Sequence, residues 1–176
     1  GAELLRLLDS AVAHVIANNR FSELGIAAPL ADMARASWER RDPSLYGRFD
    51  LRFDGQSPPK LLEYNADTPT ALFEAAVVQW HWLEELFPDA DQLNSIHEAL
   101  IEAWQGWRRS GELGRVHFSC MPDDDDDLLT TAYLQDTALQ AGLDTRLMQV
   151  PDIGWNGHIF VDLDTVELGV DLDRPG

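Results

Sequence analysis

The N-terminal part of the chain shows the apolar spacing of α-helices. Between residues 2 and 18, apolar side chains recur every three or four positions, at Leu4, Leu5, Leu8, Val12, Val15 and Ile16. This spacing predicts a helix with one apolar face. The stretch LADMARASWER, at about residues 30–40, predicts a second helix.

After the second helix, the pattern changes to the alternation of a β-strand. In YGRFDLRFDG the positions on one face are Tyr46, Arg48, Asp50, Arg52 and Asp54, and those on the other are Phe49, Leu51 and Phe53. Successive side chains of a strand point to opposite faces, so this segment predicts a half-buried strand. The turn-forming sequence DGQSPP follows. KLLEYN then predicts the return strand of a β-hairpin over residues 45–66.

The second half of the chain alternates between helical and strand-like patterns. In order, we predict a helix at 69–87, a helix at about 91–108, a strand at 115–121, a helix at 128–142 and a strand at 144–150. The helix at 69–87 has Thr68 as a candidate N-cap and Pro69 at its first position. The helix at 128–142 ends at Gly142, a candidate C-cap. Residues 115–150 therefore predict a β-α-β unit, for which parallel strands and a right-handed crossover are usual. Further short strands are predicted near 158–161 and 165–170.

Together these elements predict an α/β protein made of helices, a β-hairpin and a Rossmann-like β-α-β unit. We expect two domains, a helical region with the hairpin over 1–112 and a truncated Rossmann-like unit over 113–176. Gly1 is typical of a residue left by cloning, and the chain stops at Arg174-Pro175-Gly176 directly after strand-like sequence. We therefore expect the chain to be a fragment of a longer protein.

Composition narrows the classes of function. The net charge of −18 makes nucleic acid an unexpected partner, because phosphate contacts need lysine and arginine. Lys60 is the only lysine; the remaining basic residues are arginines, which suit two-point recognition of carboxylates or phosphates but equally fit a GC-rich genome. Cys120 is the only cysteine, which excludes an intrachain disulfide and a thiolate zinc site. No run approaches the ~20 apolar residues of a membrane span, and no signal-peptide pattern is present, so we expect a cytoplasmic protein without a membrane partner.

The hairpin is the first place where the pattern indicates chemistry. Arg48 and Asp50 share one strand face, and Glu63 and Asn65 share another, because side chains repeat every two residues. If both faces line one cleft, the site holds carboxylate and amide oxygens suited to Mg²⁺ and a guanidinium suited to a transferring phosphoryl group. The alternative is a cross-strand salt bridge on a solvated face.

Two further segments have competing interpretations. In NADTPT, the side chains of Asp67, Thr68 and Thr70 come where a strand meets a helix N-terminus, which favours either a bound anion or ordinary helix capping. The run DDDDD at 123–127 lacks the glycine and final glutamate of a calcium loop. A solvated run with its last members at a helix N-terminus is the favoured interpretation.

Several common motifs are absent from the sequence. It has no GxSxG, GxGxxG or Walker loop, and its histidines show no metal-ligand spacing such as HExxH. Tryptophans at helical spacings predict core or interdomain packing at Trp80, Trp82, Trp104 and Trp107.

The sequence PSLYGRFDLRFDG…PKLLEYNADTPTALFEAAVVQWHWLE resembles the synthetase region of glutathionylspermidine synthase and its shorter bacterial relatives, from about residue 4 to about 170. Its RFD and LLEYNADTPT motifs are the most specific. The resemblance implies a pre-ATP-grasp domain with part of an ATP-grasp ligase. It also implies a reaction in which ATP activates the glycine carboxylate of a glutathione-like peptide as an acyl phosphate, which an amine of a polyamine then attacks.

The resemblance also implies roles for individual residues. Glu63 and Asn65 would bind Mg²⁺ beside the ATP phosphates, and Asp50 would join or support that metal site. Arg48 would act in catalysis by contacting the transferring phosphoryl group or the acyl phosphate. The residues implied in substrate binding are Thr68, Thr70, Asp126 and Asp127.

The chain departs from the resembled family in two respects. It stops before the adenine-binding strands, phosphate lysines and lid, so we expect the isolated chain to have no ligase turnover. No separate amidase domain is visible, and the short relatives need not use glutathione and spermidine, because a shared fold does not set the substrate. The alternatives are a non-catalytic acidic binding module that retains the fold and a domain stabilised by calcium at the aspartate run.

Overall fold

The computed structural model describes residues 1–67, 69–92, 94–111 and 113–164. Within these ranges the α-helices are Ala2–Ala17 (α1), Ala28–Arg40 (α2), Gln79–Leu86 (α3), Ile96–Ser110 (α4) and Asp125–Gln140 (α5). The strands are Gly47–Arg52 (β1), Lys60–Ala66 (β2), Val116–Cys120 (β3), Thr145–Gln149 (β4), Gly154–Trp155 (β5) and Phe160–Val161 (β6). The predicted α/β class is confirmed. The predicted strand at 165–170 lies outside the described residues.

The chain forms two compact units, Gly1–Ser44 and Leu45–Gly176. In the first unit, α1 and α2 confirm the two helices predicted there. They are joined through Arg35, which donates to Ile16 O at 3.1 Å and to Asn19 Oδ1 at 3.0 Å. The same guanidinium lies 5.3 Å from the ring centroid of Phe21, which is buried. The predicted domain division after residue 112 stays a prediction.

In the second unit, β1 and β2 form the predicted antiparallel hairpin. Phe49 lies opposite Tyr64, and their rings stack with centroids 4.6 Å apart. The register shifts after Asp50, because Leu51 pairs with Leu61 and leaves Leu62 as the extra residue of a β-bulge. Beyond the bulge the predicted burial of the apolar face is wrong, since the side chain of Phe53 is 63% exposed.

The predicted β-α-β unit is also confirmed. Strands β3 and β4 are parallel, and α5 connects them. A core of buried residues joins α4 and α5 to β3, and it consists of Trp104, Phe118, Ala138, Ala141 and Leu143. The indole of Trp104 packs edge-on against Phe118 and donates from Nε1 to Thr137 Oγ1 at 3.0 Å, so its one polar group is satisfied.

One prediction in this unit needs correction, and another is confirmed in part. The helix predicted to begin at Pro69 does not, because Ala71 has a left-handed φ of 61° and helical structure starts after it. The helix then opens with a π-helical segment, Glu74–Val78, that leads into α3. Of the tryptophans predicted to take part in core or interdomain packing, Trp104 and Trp107 pack at the core. Trp80 and Trp82 are 42% and 55% exposed in this chain, and interdomain packing stays a prediction for them.

Among the described residues, no helix combines the length and apolar character that a membrane crossing requires.

Candidate functional site

The hairpin register brings the four predicted hairpin residues onto adjacent positions. Arg48 lies directly opposite Asn65, and Asp50 lies directly opposite Glu63. Directly opposed residues of an antiparallel pair project from the same face of the sheet. Two carboxylates, an amide and a guanidinium therefore share one face, which we call the hairpin face.

The guanidinium of Arg48 is held at two points by the carboxylate of Asp50. Arg48 Nε donates to Asp50 Oδ1 at 2.8 Å, and Nη2 donates to Oδ2 at 3.2 Å. Both side chains are about one-third exposed. The ion pair runs along β1 rather than across the hairpin, so it differs in direction from the cross-strand salt bridge that the sequence left open.

The amide of Asn65 connects the remaining members of the hairpin face. With the amide oriented to satisfy both of its ends, its nitrogen donates to Glu63 Oε1 at 2.9 Å. Its oxygen accepts from Arg48 Nη2 at 3.2 Å. Glu63, Asn65, Arg48 and Asp50 thus form one continuous chain of hydrogen bonds.

The ion pair also sets the charge state of its members. The hydrogen bond from Arg48 lowers the pKa of the Asp50 carboxyl below its usual value, with burial acting weakly in the opposite direction. The same bond raises the pKa of the Arg48 guanidinium. Asp50 is therefore kept ionised, and an ionised carboxylate is an acceptor that can face a cation.

The donor set of the hairpin face fits a divalent cation that takes part of its coordination shell from elsewhere. Carboxylate and amide oxygens are hard ligands, and Mg²⁺ commonly combines one or two carboxylates with waters and phosphate oxygens. Asp50 and Glu63 supply two carboxylates, and Asn65 supplies an amide oxygen. Within the described ranges, no cluster of three or more His, Cys, Asp or Glu residues could hold a metal. A protein-only metal cage is therefore not the arrangement found at this face.

The loop after β2 reaches back to the hairpin face through its backbone. Arg48 Nη1 donates to the carbonyl oxygen of Thr70 at 3.1 Å, so Thr70 lies beside the predicted phosphoryl contact. Asp67 accepts from Leu45 N at 3.0 Å through Oδ1, and its own N–H donates to Tyr46 O at 2.7 Å. These bonds stabilise the start of β1. Thr68 lies outside the described residues.

The aspartate run caps α5, as its favoured interpretation predicts. Asp124 is the N-cap residue, and its Oδ1 accepts from Asp127 N at 3.0 Å. Asp126 and Asp127 lie exposed in the first turn of the helix, where negative charge is favourable. Capping accounts for their position, and their predicted role in substrate binding stays a prediction.

Earlier members of the run line a cavity that the sequence did not predict. It has a volume of about 410 Å³ and lies beside the carboxyl ends of β3 and β4, where its lining includes Asp123, Asp124, Asp125 and Gln149. Ligands of parallel sheets commonly bind at this edge. The predicted β-α-β unit already implied such an edge, so the residues that directly follow β3 could also have been proposed from the sequence.

The chain matches a family model described as the glutathionylspermidine synthase pre-ATP-grasp domain over residues 1–170. It is 42% identical over 151 residues to a putative acid–amine ligase of Haemophilus influenzae, and the match covers 83% of this chain and 37% of that protein. It is 28% identical over 155 residues to the trypanothione synthetase of Crithidia fasciculata, covering 86% of this chain and 24% of that protein.

A third relative is the bifunctional glutathionylspermidine synthetase/amidase of Escherichia coli. It is 30% identical over 125 residues, which cover 69% of this chain and 20% of that protein. The chain therefore spans between one-fifth and two-fifths of the length of these three relatives.

Proposed function

The chain belongs to the glutathionylspermidine synthase pre-ATP-grasp family, and from this premise we propose that it is part of an ATP- and Mg²⁺-dependent carboxylate–amine ligase. The observation that carries the proposal is the hairpin face, where Arg48, Asp50, Glu63 and Asn65 form one hydrogen-bonded set. A guanidinium beside hard oxygen ligands suits chemistry on phosphate and carboxylate groups.

The proposed reaction has two steps. A substrate carboxylate oxygen attacks the γ-phosphorus of ATP, and the bond between the γ-phosphorus and the β-phosphate oxygen breaks. ADP departs, and the product is an acyl phosphate. An uncharged amine then attacks the acyl carbon, phosphate departs, and the amine nitrogen loses a proton to form the amide. The first step brings two anions together and the second releases an anionic phosphate, so both need positive charge fixed nearby.

Arg48 is the residue to which we assign the contact with the transferring phosphoryl group. Its guanidinium is oriented by Asp50 on one side and by the carbonyl of Thr70 on another. Donors that are already oriented need little rearrangement when charge develops in the transition state. Arginine presents its donors in a fixed plane, which suits two-point contact with phosphate or carboxylate oxygens.

Glu63 and Asn65, with Asp50 joining or supporting them, are the residues that would hold Mg²⁺. When bound, the ion offsets phosphate charge and orients the phosphates. The chain's own part is to keep Asp50 ionised and adjacent to Glu63, to which the Arg48–Asp50 pair contributes. Asn65 bridges Glu63 and Arg48, so it links the metal-binding and phosphoryl-binding sides of the face.

For the substrates, we propose a glutathione-like peptide as the acid and a polyamine or another amine as the nucleophile. Support comes from the relatives, whose names specify an acid–amine ligase, a trypanothione synthetase and a glutathionylspermidine synthetase. Thr68 and Thr70 are proposed to contact the peptide, and Asp126 and Asp127 are proposed near the substrates. We also propose a cytoplasmic location.

The test is ADP release by the full-length parent protein with Mg²⁺ and ATP. Glutathione and spermidine are supplied singly and together, and Glu63→Gln is the matched variant. We expect release that requires both substrates and is lost in Glu63→Gln. Release unchanged in that variant would refute the role of the hairpin face. No release with any acid and amine pair would favour the non-catalytic binding module.

The 176-residue chain by itself is proposed to have no ligase turnover. Amide formation by this chain alone would contradict that statement.

A further inference from the structure

A second cavity, of about 560 Å³, lies among the π-helical segment, α3, α4 and α5. Its volume is within the range of about 300–1,000 Å³ that is usual for small-molecule sites. The described residues that line it do not include any member of the hairpin face. The proposed ligase chemistry therefore leaves this cavity without a role.

Several aromatic side chains line the cavity. Phe73, Trp80, His97 and Tyr133 line it, and the rings of Phe73 and Tyr133 meet edge-on with centroids 6.1 Å apart. The side chain of Trp80 is 42% exposed, so its ring is accessible from solvent. Aromatic faces attract cations through the negative charge of their π-systems.

A chain of hydrogen bonds holds two of these rings in place. When His97 carries its proton on Nε2, the hydroxyl of Tyr133 donates to His97 Nδ1 at 3.1 Å, and His97 Nε2 donates to Gln140 Oε1 at 3.4 Å. Gln140 Nε2 then donates to Asp136 Oδ2 at 2.7 Å. The wall is therefore formed by side chains that already have partners, and a ligand need not rearrange them.

The same cavity carries negative charge. Glu98 and Asp136 both line it, and both raise the pKa of the Tyr133 hydroxyl, for which burial is the largest cause. The basic groups at the cavity are the imidazoles of His81 and His97, and no lysine or arginine is among its described lining residues. The charge balance therefore favours a positive ligand over a neutral or negative one.

The backbone at the base of the cavity has an unusual form. Ala76 and Val77 of the π-helical segment line it. The carbonyl oxygen of Ala75 in the same segment accepts from Asn94 Nδ2 at 2.7 Å, and Asn94 is also a lining residue. π-Helical turns inside α-helices occur frequently at functional sites.

We propose that this cavity is a binding site for a small organic cation, an ammonium group carried on an apolar or aromatic body. The aromatic walls accept the apolar body and the face of each ring attracts the charge, while Glu98 and Asp136 supply the counter-charge. The proposal concerns binding only, and it does not depend on the ligase reaction.

The test titrates the 176-residue chain with 2-phenylethylammonium at neutral pH and follows the tryptophan indole N–H signals by ¹H–¹⁵N NMR. We expect a saturable shift of the Trp80 signal, which the variant Trp80→Phe identifies. The Trp82 signal serves as the control, because Trp82 is exposed on the same helix and is not among the described lining residues. Equal shifts of both signals, or no saturable shift, would overturn the proposal.

Two ligand analogues separate this site from general attraction to an acidic protein. The neutral analogue 2-phenylethanol should bind about 2- to 30-fold more weakly, the range expected from loss of cation–π attraction. The diammonium ion of 1,4-diaminobutane, which lacks a ring, should also bind more weakly than 2-phenylethylammonium. Equal binding of either analogue would contradict the proposed ligand class.

The matched variants are Glu98→Gln and Glu102→Gln. Both glutamates are exposed on α4 one turn apart, but only Glu98 lines the cavity. Glu98→Gln should weaken binding by about 2- to 5-fold, and Glu102→Gln should leave it unchanged. Equal weakening would indicate an effect of net charge and would overturn the proposal.

Discussion

Arg48 and Asp50 are joined at two points along one face of β1, with Nε to Oδ1 at 2.8 Å and Nη2 to Oδ2 at 3.2 Å. The pairing fixes the plane of the guanidinium and keeps the carboxylate ionised. The carboxylate thereby serves two groups, because it orients an arginine and also lies opposite Glu63, where a cation is proposed.

The ion pair predicts a dependence of stability on pH. Because the folded-state pKa of Asp50 is lowered, its contribution is fully present above the unfolded pKa of about 3.9 and is lost as pH falls through the lower folded pKa. We expect the wild type to be more stable than Asp50→Asn near neutral pH, with the difference vanishing in acid. Urea unfolding of both proteins from acid to neutral pH measures the difference in their unfolding free energies. A difference that does not change with pH would contradict the prediction.

Arg48 should matter to the reaction of the full-length parent far more than its neighbour on the same strand. Arg48→Ala should lower kcat/KM by about 100-fold or more, because an oriented donor to the transition state is removed. Arg52→Ala is the matched control, since Arg52 is an exposed arginine of β1 paired with Lys60 instead of with the hairpin face. Steady-state ADP release measures both variants, and similar losses would argue against a specific role for Arg48.

Asp162 and Asp164 both contact Arg146, but Asp162 is buried and Asp164 is exposed. Their replacement should therefore lower the free energy of unfolding by unequal amounts. Asp162 is buried and accepts from Arg146 Nη1 at 3.2 Å and from His117 Nε2 at 3.1 Å. Asp162→Asn should cost about 2 kcal/mol of unfolding free energy, because charged hydrogen bonds are lost inside the protein. Asp164→Asn should cost less than about 1 kcal/mol, since that carboxylate is exposed. Chemical denaturation distinguishes the two, and equal losses would be unexpected.

The buried hydroxyl of Thr137 should be needed for core stability. Thr137→Val leaves the indole N–H of Trp104 without its acceptor, and we expect a loss of about 2 kcal/mol. Thr131→Val is the control, because Thr131 is a half-buried threonine of the same helix. Thermal unfolding followed by circular dichroism measures the stability of both variants. Unchanged stability in Thr137→Val would show that the hydrogen bond contributes little.

Gly47 should resist substitution because of a neighbouring ring. A Cβ at Gly47 would overlap the phenol ring of Tyr64, which stacks on Phe49. Gly47→Ala should therefore displace the ring and cost about 1 kcal/mol of unfolding free energy. At Gly106, within α4, an added Cβ meets no atom within 4 Å. Gly106→Ala should accordingly stabilise the protein by about 0.5–1 kcal/mol, and urea titrations of both variants provide the comparison.

Local patterns in the sequence predict most of the helices and strands and which side chains share a face. The two-residue period placed Arg48 with Asp50 and Glu63 with Asn65, and the helical period located α1, α2, α4 and α5. Such periods reflect the geometry of single strands and helices, which neighbouring residues set. Turn-forming residues between the two strands then favoured a hairpin, and the motifs identified the family.

The contacts between segments far apart in sequence could not be predicted from these patterns. The register shifts at Leu62 directly after the Asp50–Glu63 pair, and Phe53 beyond it is exposed. The carbonyl of Thr70 accepts from Arg48 just before the left-handed Ala71. The exposure of Trp80 beside a cavity depends on where α4 and α5 pack. These features arise from register, backbone irregularity and packing between segments far apart in sequence, and no local period carries that information.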